Sequence, residues 1–162
     1  MSDLLKMTAT QAKNSLSKKE ISSVELLDAY QTAMEKTESL NNYVTPSLDV
    51  AKQMAVNADK AYAQGSAGPL AGLPIGVKDL FCTKDIETTA CSAILKGFLP
   101  SYESTVTSNI WQSGGLMLGK LNCDEFAMGS SNETSIFGPA VNPWSKIGGI
   151  DLSPGGSSGG CA

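Results

Sequence analysis

The chain has 162 residues, 41% hydrophobic and 17% charged, which fits a folded domain of ordinary size and excludes a disordered tail. Its 12 basic and 16 acidic residues give a net charge of −4 with no basic cluster, which argues against a nucleic-acid surface on this segment. It contains no histidine, so mechanisms that need an imidazole base or a histidine-ligated metal are excluded for these residues.

The first third reads as helical. Its N-terminus lacks a long apolar core or cleavage pattern, and no run of about 18 apolar residues occurs anywhere, so a soluble, cytoplasmic protein is expected. A short helix is expected over Thr8 to Leu16. Ser22 and Glu25 fit a capping box, after which Val24, Leu27, Tyr30 and Met34 recur at helical spacing on one face. A longer helix should run from about Leu48 to Gln64, with Val50, Met54, Ala58 and Ala61 inward and Gly65 as its stop. The charges between these positions, such as Lys18, Asp28 and Glu35, are expected on the solvated faces. Residues 65–72 are a break rich in Gly, Ala and Ser with Pro69. It divides an N-terminal helical arm, 1–64, from a second region, 65–162.

Beyond the break the pattern changes. Leu73 to Phe81 reads as a short buried strand, apolar except for Lys78 and Asp79. A helix from about Ser104 to Ser113 follows, with Val106, Ile110 and Trp111 inward, and Leu116 to Leu121 is a second buried strand. Strand, helix and strand with apolar runs point to an α/β fold with a parallel sheet. Asp124 should open a single helical turn through Met128; acids there are favoured by the helix dipole, so Asp124 and Glu125 read as capping groups. Residues 129–160 read as loop, and more than thirty residues of it is long for a compact domain unless the loop is functional. The four cysteines show neither CxxC nor metal spacing and read as free thiols of a reducing compartment.

Chemistry is concentrated at two places. Lys78 sits in an apolar strand, where it is either a snorkelling or Asp79-paired lysine or a base. A lysine that works as a base near neutrality must shed about three pKa units, roughly 4 kcal/mol of environmental bias against its charged form. Ser157 and Ser158 lie within Gly155-Gly156-Ser157-Ser158-Gly159-Gly160. The segment satisfies G-x-S-x-G formally, but no hydrophobic strand precedes it and no histidine exists to serve it, so a hydrolase elbow is rejected. A phosphate loop is rejected too, because Gly160 is followed by Cys161 and not by Gly-Lys-Ser/Thr.

The glycine-flanked serines together with Gly76-Val77-Lys78-Asp79 upstream resemble the amidase signature family. Thr88-Thr89-Ala90-Cys91-Ser92, Gly119-Lys120-Leu121-Asn122, Asp124-Glu125-Phe126-Ala127-Met128-Gly129-Ser130-Ser131 and Asn142-Pro143-Trp144 narrow the resemblance to its glutaminase branch, which serves tRNA-dependent amidotransferases. The resemblance implies an amidase-signature fold, a mixed and mostly parallel sheet covered by helices. It implies Lys78 as base and Ser157 as the bridging serine, preceded by a cis peptide at Gly156-Ser157. Ser158 is then a supporting hydrogen-bond donor, and Met128, Gly129 and Ser130 line the acyl pocket. The family's nucleophilic serine would lie beyond Ala162, so the chain is expected to be incomplete and inactive by itself. Cys161 departs from the serine common in the family, with no catalytic consequence expected. The resemblance implies no metal or cofactor in this chain. Ammonia from glutamine would pass to a heterotrimer with subunits B and C, where the partner uses ATP and Mg²⁺ to convert Glu-tRNA(Gln) to Gln-tRNA(Gln). Two other readings stay open: a stand-alone amidase for another amide, and a non-catalytic scaffold or binding module.

Overall fold

The structure, a computed structural model, describes residues 3–144 and 150–162. Two compact units are each assembled from separated segments: Met1–Lys36, Ser47–Ile75 and Ser108–Leu118 form one, and Thr37–Pro46, Gly76–Thr107 and Gly119–Ala162 the other.

The first unit is built on helices α1 (Ala9–Ser17), α2 (Ser23–Lys36) and α3 (Leu48–Gln64). The starts of α1 and α2 are each fixed by a local polar device. Thr8 and Gln11 form a capping box at α1, with Gln11 N donating to Thr8 Oγ1 at 3.2 Å and Thr8 N to Gln11 Oε1 at 2.8 Å. Ser22 and Glu25 do the same at α2, as their spacing predicts (3.1 and 2.8 Å). Asp59 of α3 adds an anion at this helix N-terminus by accepting from Ser23 N at 2.6 Å. Gly65 stops α3 in the left-handed region, φ 71°, a conformation that costs glycine nothing.

The apolar faces match the expected ones only in part: Leu27 and Ala58 are buried as expected, and others are not. In α3 the buried residues are Ala51, Ala55 and Ala58, while Val50 is exposed and Met54 and Ala61 are half-buried. α2 packs on α3, and the inward stripe is the small one that permits this approach. On α2 itself Leu26 and Leu27 are buried, with Val24, Tyr30 and Met34 at the margins. Ala12, Leu16, Leu26 and Leu73 make the centre of this core.

The sheet has the order β1-β3-β2, with β1 Tyr43–Pro46, β2 Pro74–Lys78 and β3 Leu116–Leu121. β1 lies in a stretch that reads only as helix. It is four residues long, ends at Pro46 and pairs antiparallel with β3 through an irregularity between Tyr43 and Thr45. β2 and β3 run parallel: Leu116 N donates to Leu73 O and Asp79 N to Leu121 O, both at 2.9 Å, advancing together along the two strands. The sheet is therefore mixed. Between β2 and β3 lies α4 (Thr105–Gln112), whose first turn is capped by Ser104 Oγ accepting from Thr107 N at 3.2 Å. Thr107 is its buried residue; Val106, expected inward, is exposed, and Ile110 and Trp111 are half-buried.

β2 is shorter than its apolar run. It stops at Lys78 because the next residue turns its carboxylate inward, and Phe81 N closes a turn onto Lys78 O at 3.1 Å. Leu80 and Phe81 are thereby left exposed.

Candidate active site

Lys78 occupies the last position of β2, half-buried, in the second unit. Its Nζ donates to Ser157 Oγ at 2.6 Å and to Ser158 Oγ at 2.9 Å. The Gly156–Ser157 peptide is cis. Ser158 thus accepts a hydrogen bond from the amine, which leaves its own hydroxyl proton free to be donated elsewhere.

The serine loop is held to the segment after β3. Asp124 N donates to Ser157 O, and Gly160 N to Asn122 O, both at 3.0 Å. Ser153 Oγ donates to Ser131 O at 2.6 Å and accepts from Gly155 N at 2.9 Å. Gly156, Gly159 and Gly160 are required by close approach, a Cβ at Gly160 standing 2.4 Å from Asn42 O. A Cβ at Gly156 would stand 2.3 Å from Asp124 Oδ2 and 2.7 Å from the Ser131 nitrogen; one at Gly159 would stand 2.0 Å from Asn132 Oδ1. These three glycines therefore serve tight packing, which a flexible linker would not need, while Gly155 has open space around it and takes a φ of 101°.

Next to Lys78 is a buried ionic cluster that local sequence reading misses. Asp79 and Lys120 are both 0% exposed, with Lys120 Nζ 3.8 Å from Asp79 Oδ1. Lys120 also donates to Thr88 Oγ1 at 2.9 Å, to Thr83 Oγ1 at 3.1 Å and to the Phe81 carbonyl. Asp79 Oδ2 accepts from Thr89 Oγ1 at 2.6 Å, Thr89 N at 3.0 Å and Cys91 N at 3.3 Å. Burial pushes the Asp79 carboxyl up, against the opposing pull of Thr89, Lys120 and Cys91. Burial likewise pushes the Lys120 amine down, against the attraction of Asp79. The cluster ties residues 79–91 to β3, and so fixes the strand end that carries Lys78.

Asp124 does not cap a helix. The short 3₁₀ turn at Glu125–Ala127 receives no side-chain capping bond from it, and Phe126 and Ala127 have φ of 51° and 59°. Its fully buried carboxylate instead accepts from Asn132 N at 2.9 Å and Thr134 Oγ1 at 2.9 Å. Burial acts to raise the Asp124 carboxyl, but those hydrogen bonds outweigh it and hold the group below its ordinary value. Asn122 completes the frame: its Nδ2 donates to Asn41 O at 2.9 Å and Gly138 O at 3.0 Å, and its Oδ1 accepts from Asn132 Nδ2 at 3.2 Å. Cys91 and Cys123 are buried thiols with 3.6 Å between sulfurs, and the hydrogen bond to Cys91, together with burial, pushes the Cys123 thiol up.

Of the candidate residues, Lys78, Ser157 and Ser158 are brought together within hydrogen-bond reach. Met128, Gly129 and Ser130 are exposed, Met128 at 76%, and among the described residues no hydrogen bond joins them to Lys78. The Ser130 backbone does border the loop, its carbonyl carbon 2.7 Å from where a Gly156 Cβ would stand. Part of the 129–160 loop, residues 145–149, lies outside the described residues. Between the 3₁₀ turns at Glu125–Ala127 and Gly159–Cys161 the described residues form no helix or strand. Among the described residues, no group of three or more His, Cys, Asp or Glu could hold a metal ion, and no helix is long and apolar enough to cross a membrane.

An amine touching two hydroxyls can move a proton through them, which is acid–base machinery without imidazole. The chain is similar to known proteins over nearly all of its length. The A subunit of the glutamyl-tRNA(Gln) amidotransferase from Parvibaculum lavamentivorans is 60% identical over 161 residues, which is 99% of this chain and 33% of the relative. The chain spans about a third of the length of the curated relatives it matches. A bacterial aryl acylamidase of the amidase signature family matches with a TM-score of 0.83 at 27% identity, over 95% of this chain and 32% of its own. The A subunit of the glutamyl-tRNA(Gln) amidotransferase from Thermotoga maritima matches with a TM-score of 0.65 at 26% identity, over 98% of this chain and 29% of its own. Residues 25–162 match the model of the Amidase family, and the chain belongs to that family.

Proposed function

We propose that the chain is the N-terminal part of the glutamine-hydrolysing subunit of a cytoplasmic tRNA-dependent amidotransferase. The observation that carries the chemistry is the 2.6 Å contact between Lys78 Nζ and Ser157 Oγ. Lys78 accepts a proton from Ser157 as Ser157 takes one from an attacking serine supplied from outside residues 1–162. That serine adds to the glutamine side-chain amide, the relay returns the proton to the departing nitrogen, and ammonia leaves. Water then releases glutamate from the glutamyl ester. Ser158 holds the amine through its 2.9 Å contact, and the Met128–Ser130 segment borders the acyl pocket. Support for glutamine as substrate is the 60% identity to the Parvibaculum amidotransferase chain over nearly all of these residues.

In this reading the ammonia goes to subunits B and C of a heterotrimer. ATP, Mg²⁺ and Glu-tRNA(Gln) are handled mainly by the partner, and the isolated segment 1–162 does not turn over. A second reading, an amidase for another amide, is favoured by the TM-score of 0.83 to the aryl acylamidase against 0.65 to the Thermotoga amidotransferase. The full-length protein distinguishes them. Release of ammonia from glutamine, abolished in a folded Lys78→Ala variant, is expected. Turnover of an aryl amide with none of glutamine selects the second reading, and full glutaminase activity in Lys78→Ala overturns the lysine's role.

A further inference from the structure

We propose that Asp124 is the positioning residue of the relay serine, an inference that rests on the reading of Ser157 as proton relay. Two independent contacts converge on it. Its main-chain N–H holds the Ser157 carbonyl at 3.0 Å, so Ser157 cannot shift without Asp124. Its carboxylate is fully buried, and the residue leaves so little room that a Cβ on Gly156 would lie 2.3 Å from Oδ2 and one on Gly129 2.3 Å from Cγ. Asp124 is therefore packed against both the serine loop and the Gly129–Ser130 edge.

The carboxylate itself is fixed from the far side. Oδ2 accepts from Asn132 N at 2.9 Å, while Oδ1 accepts from Thr134 Oγ1 at 2.9 Å and Thr134 N at 3.5 Å. Thr134 Oγ1 accepts in turn from Glu125 N at 2.9 Å. Removing the carboxylate strands the buried Asn132 N–H and leaves the part-buried Thr134 hydroxyl without its acceptor, so the 131–134 segment must move to satisfy them. Asp124 then loses its anchor, and the Ser157 carbonyl moves with it. The reacting contact is the 2.6 Å reach of Lys78 Nζ to Ser157 Oγ, which tolerates little displacement.

Full-length Asp124→Asn and Asp124→Ala, assayed for glutamine hydrolysis beside Ser157→Ala, test the assignment. Asparagine keeps an acceptor for Asn132 N and can donate its amide to Thr134 Oγ1, so it should lose about tenfold in kcat where alanine loses about a hundredfold. KM should change less than kcat in both, because Asp124 holds the Ser157 carbonyl by a direct hydrogen bond and reaches the pocket edge only by packing on Gly129. A merely structural role would lower the melting temperature and leave kcat per folded molecule unchanged. If the alanine variant does not fold, the asparagine variant decides alone: kcat within about twofold of wild type overturns the assignment. Wild-type turnover in Ser157→Ala would bring down the relay and this inference together. Loss in Ser157→Ala with none in Asp124→Asn would bring down this inference only.

Discussion

Replacing Lys120 by methionine isolates the buried cluster beside the site. The side chain keeps the length and apolar packing of the lysine's alkyl stem but loses a cation that contacts Asp79, Thr83, Thr88 and the Phe81 carbonyl. Asp79 is left as a buried carboxylate whose Oδ1 has no hydrogen bond among the described residues and whose charge has lost the lysine 3.8 Å away. Breaking a buried pair from one side costs about 3–5 kcal/mol, because the remaining charge is uncompensated. The cost should depend on pH. Burial already raises the folded Asp79 above its ordinary 3.8, and removing the lysine raises it further. A group raised on folding stabilises at pH below its unfolded value and loses that contribution as pH rises through the folded one. Lys120→Met should therefore be most damaging at neutral and higher pH and recover toward acid. The double variant Lys120→Met/Asp79→Asn should be more stable than Lys120→Met alone, since removing both charges relieves the desolvation. Urea unfolding of the full-length protein at several pH values measures all three effects. A cost below about 1 kcal/mol at neutral pH, or a double variant no better than Lys120→Met, would refute the reasoning.

Asp124 has the opposite sign. It is held below its ordinary 3.8, so its contribution is present above that value and lost as pH falls through the lower folded value; Asp124→Asn should flatten the acid limb of stability against pH, and an unchanged limb would contradict the hydrogen-bond account. Gly156→Ala places a methyl against Asp124 Oδ2 and the 130–131 backbone and should cost about 1–3 kcal/mol along with most turnover; wild-type urea midpoint and rate would show the packing to be looser than described. Cys91 and Cys123 are 0% exposed and should resist a thiol reagent in the native full-length protein, reacting only on denaturation; rapid native labelling of either would argue against this core.

Local chemistry in the sequence locates much of this. The Ser22–Glu25 box, the Gly65 stop and the apolar run 116–121 each depend on neighbours within a few residues, and each appears where its pattern lies. Lys78 and Ser157 are 79 residues apart and are linked in the sequence only through resemblance, yet their side chains meet. Local rules fail where a distant partner outranks them. Asp124 sits where an acid ordinarily caps a helix, but Asn132 and Thr134 claim its carboxylate. Lys120 is the charged residue of an otherwise apolar strand, the one local hint of an interior role. Its partners at 79, 81, 83 and 88 come from the turn after β2. In α3 the periodicity holds but the face is rotated, because alanines rather than Val50 meet the neighbouring helix. β1 has too few residues and too irregular a register to leave an alternating pattern.

A double-mutant cycle on the full-length enzyme probes the amine–hydroxyl pair at its heart. Initial rates of ammonia formation from glutamine are compared for Lys78→Ala, Ser157→Ala and the two combined. Groups acting in one relay give a combined variant about as slow as the slower single one; losses that multiply would mean that the lysine and serine work separately, contrary to the mechanism.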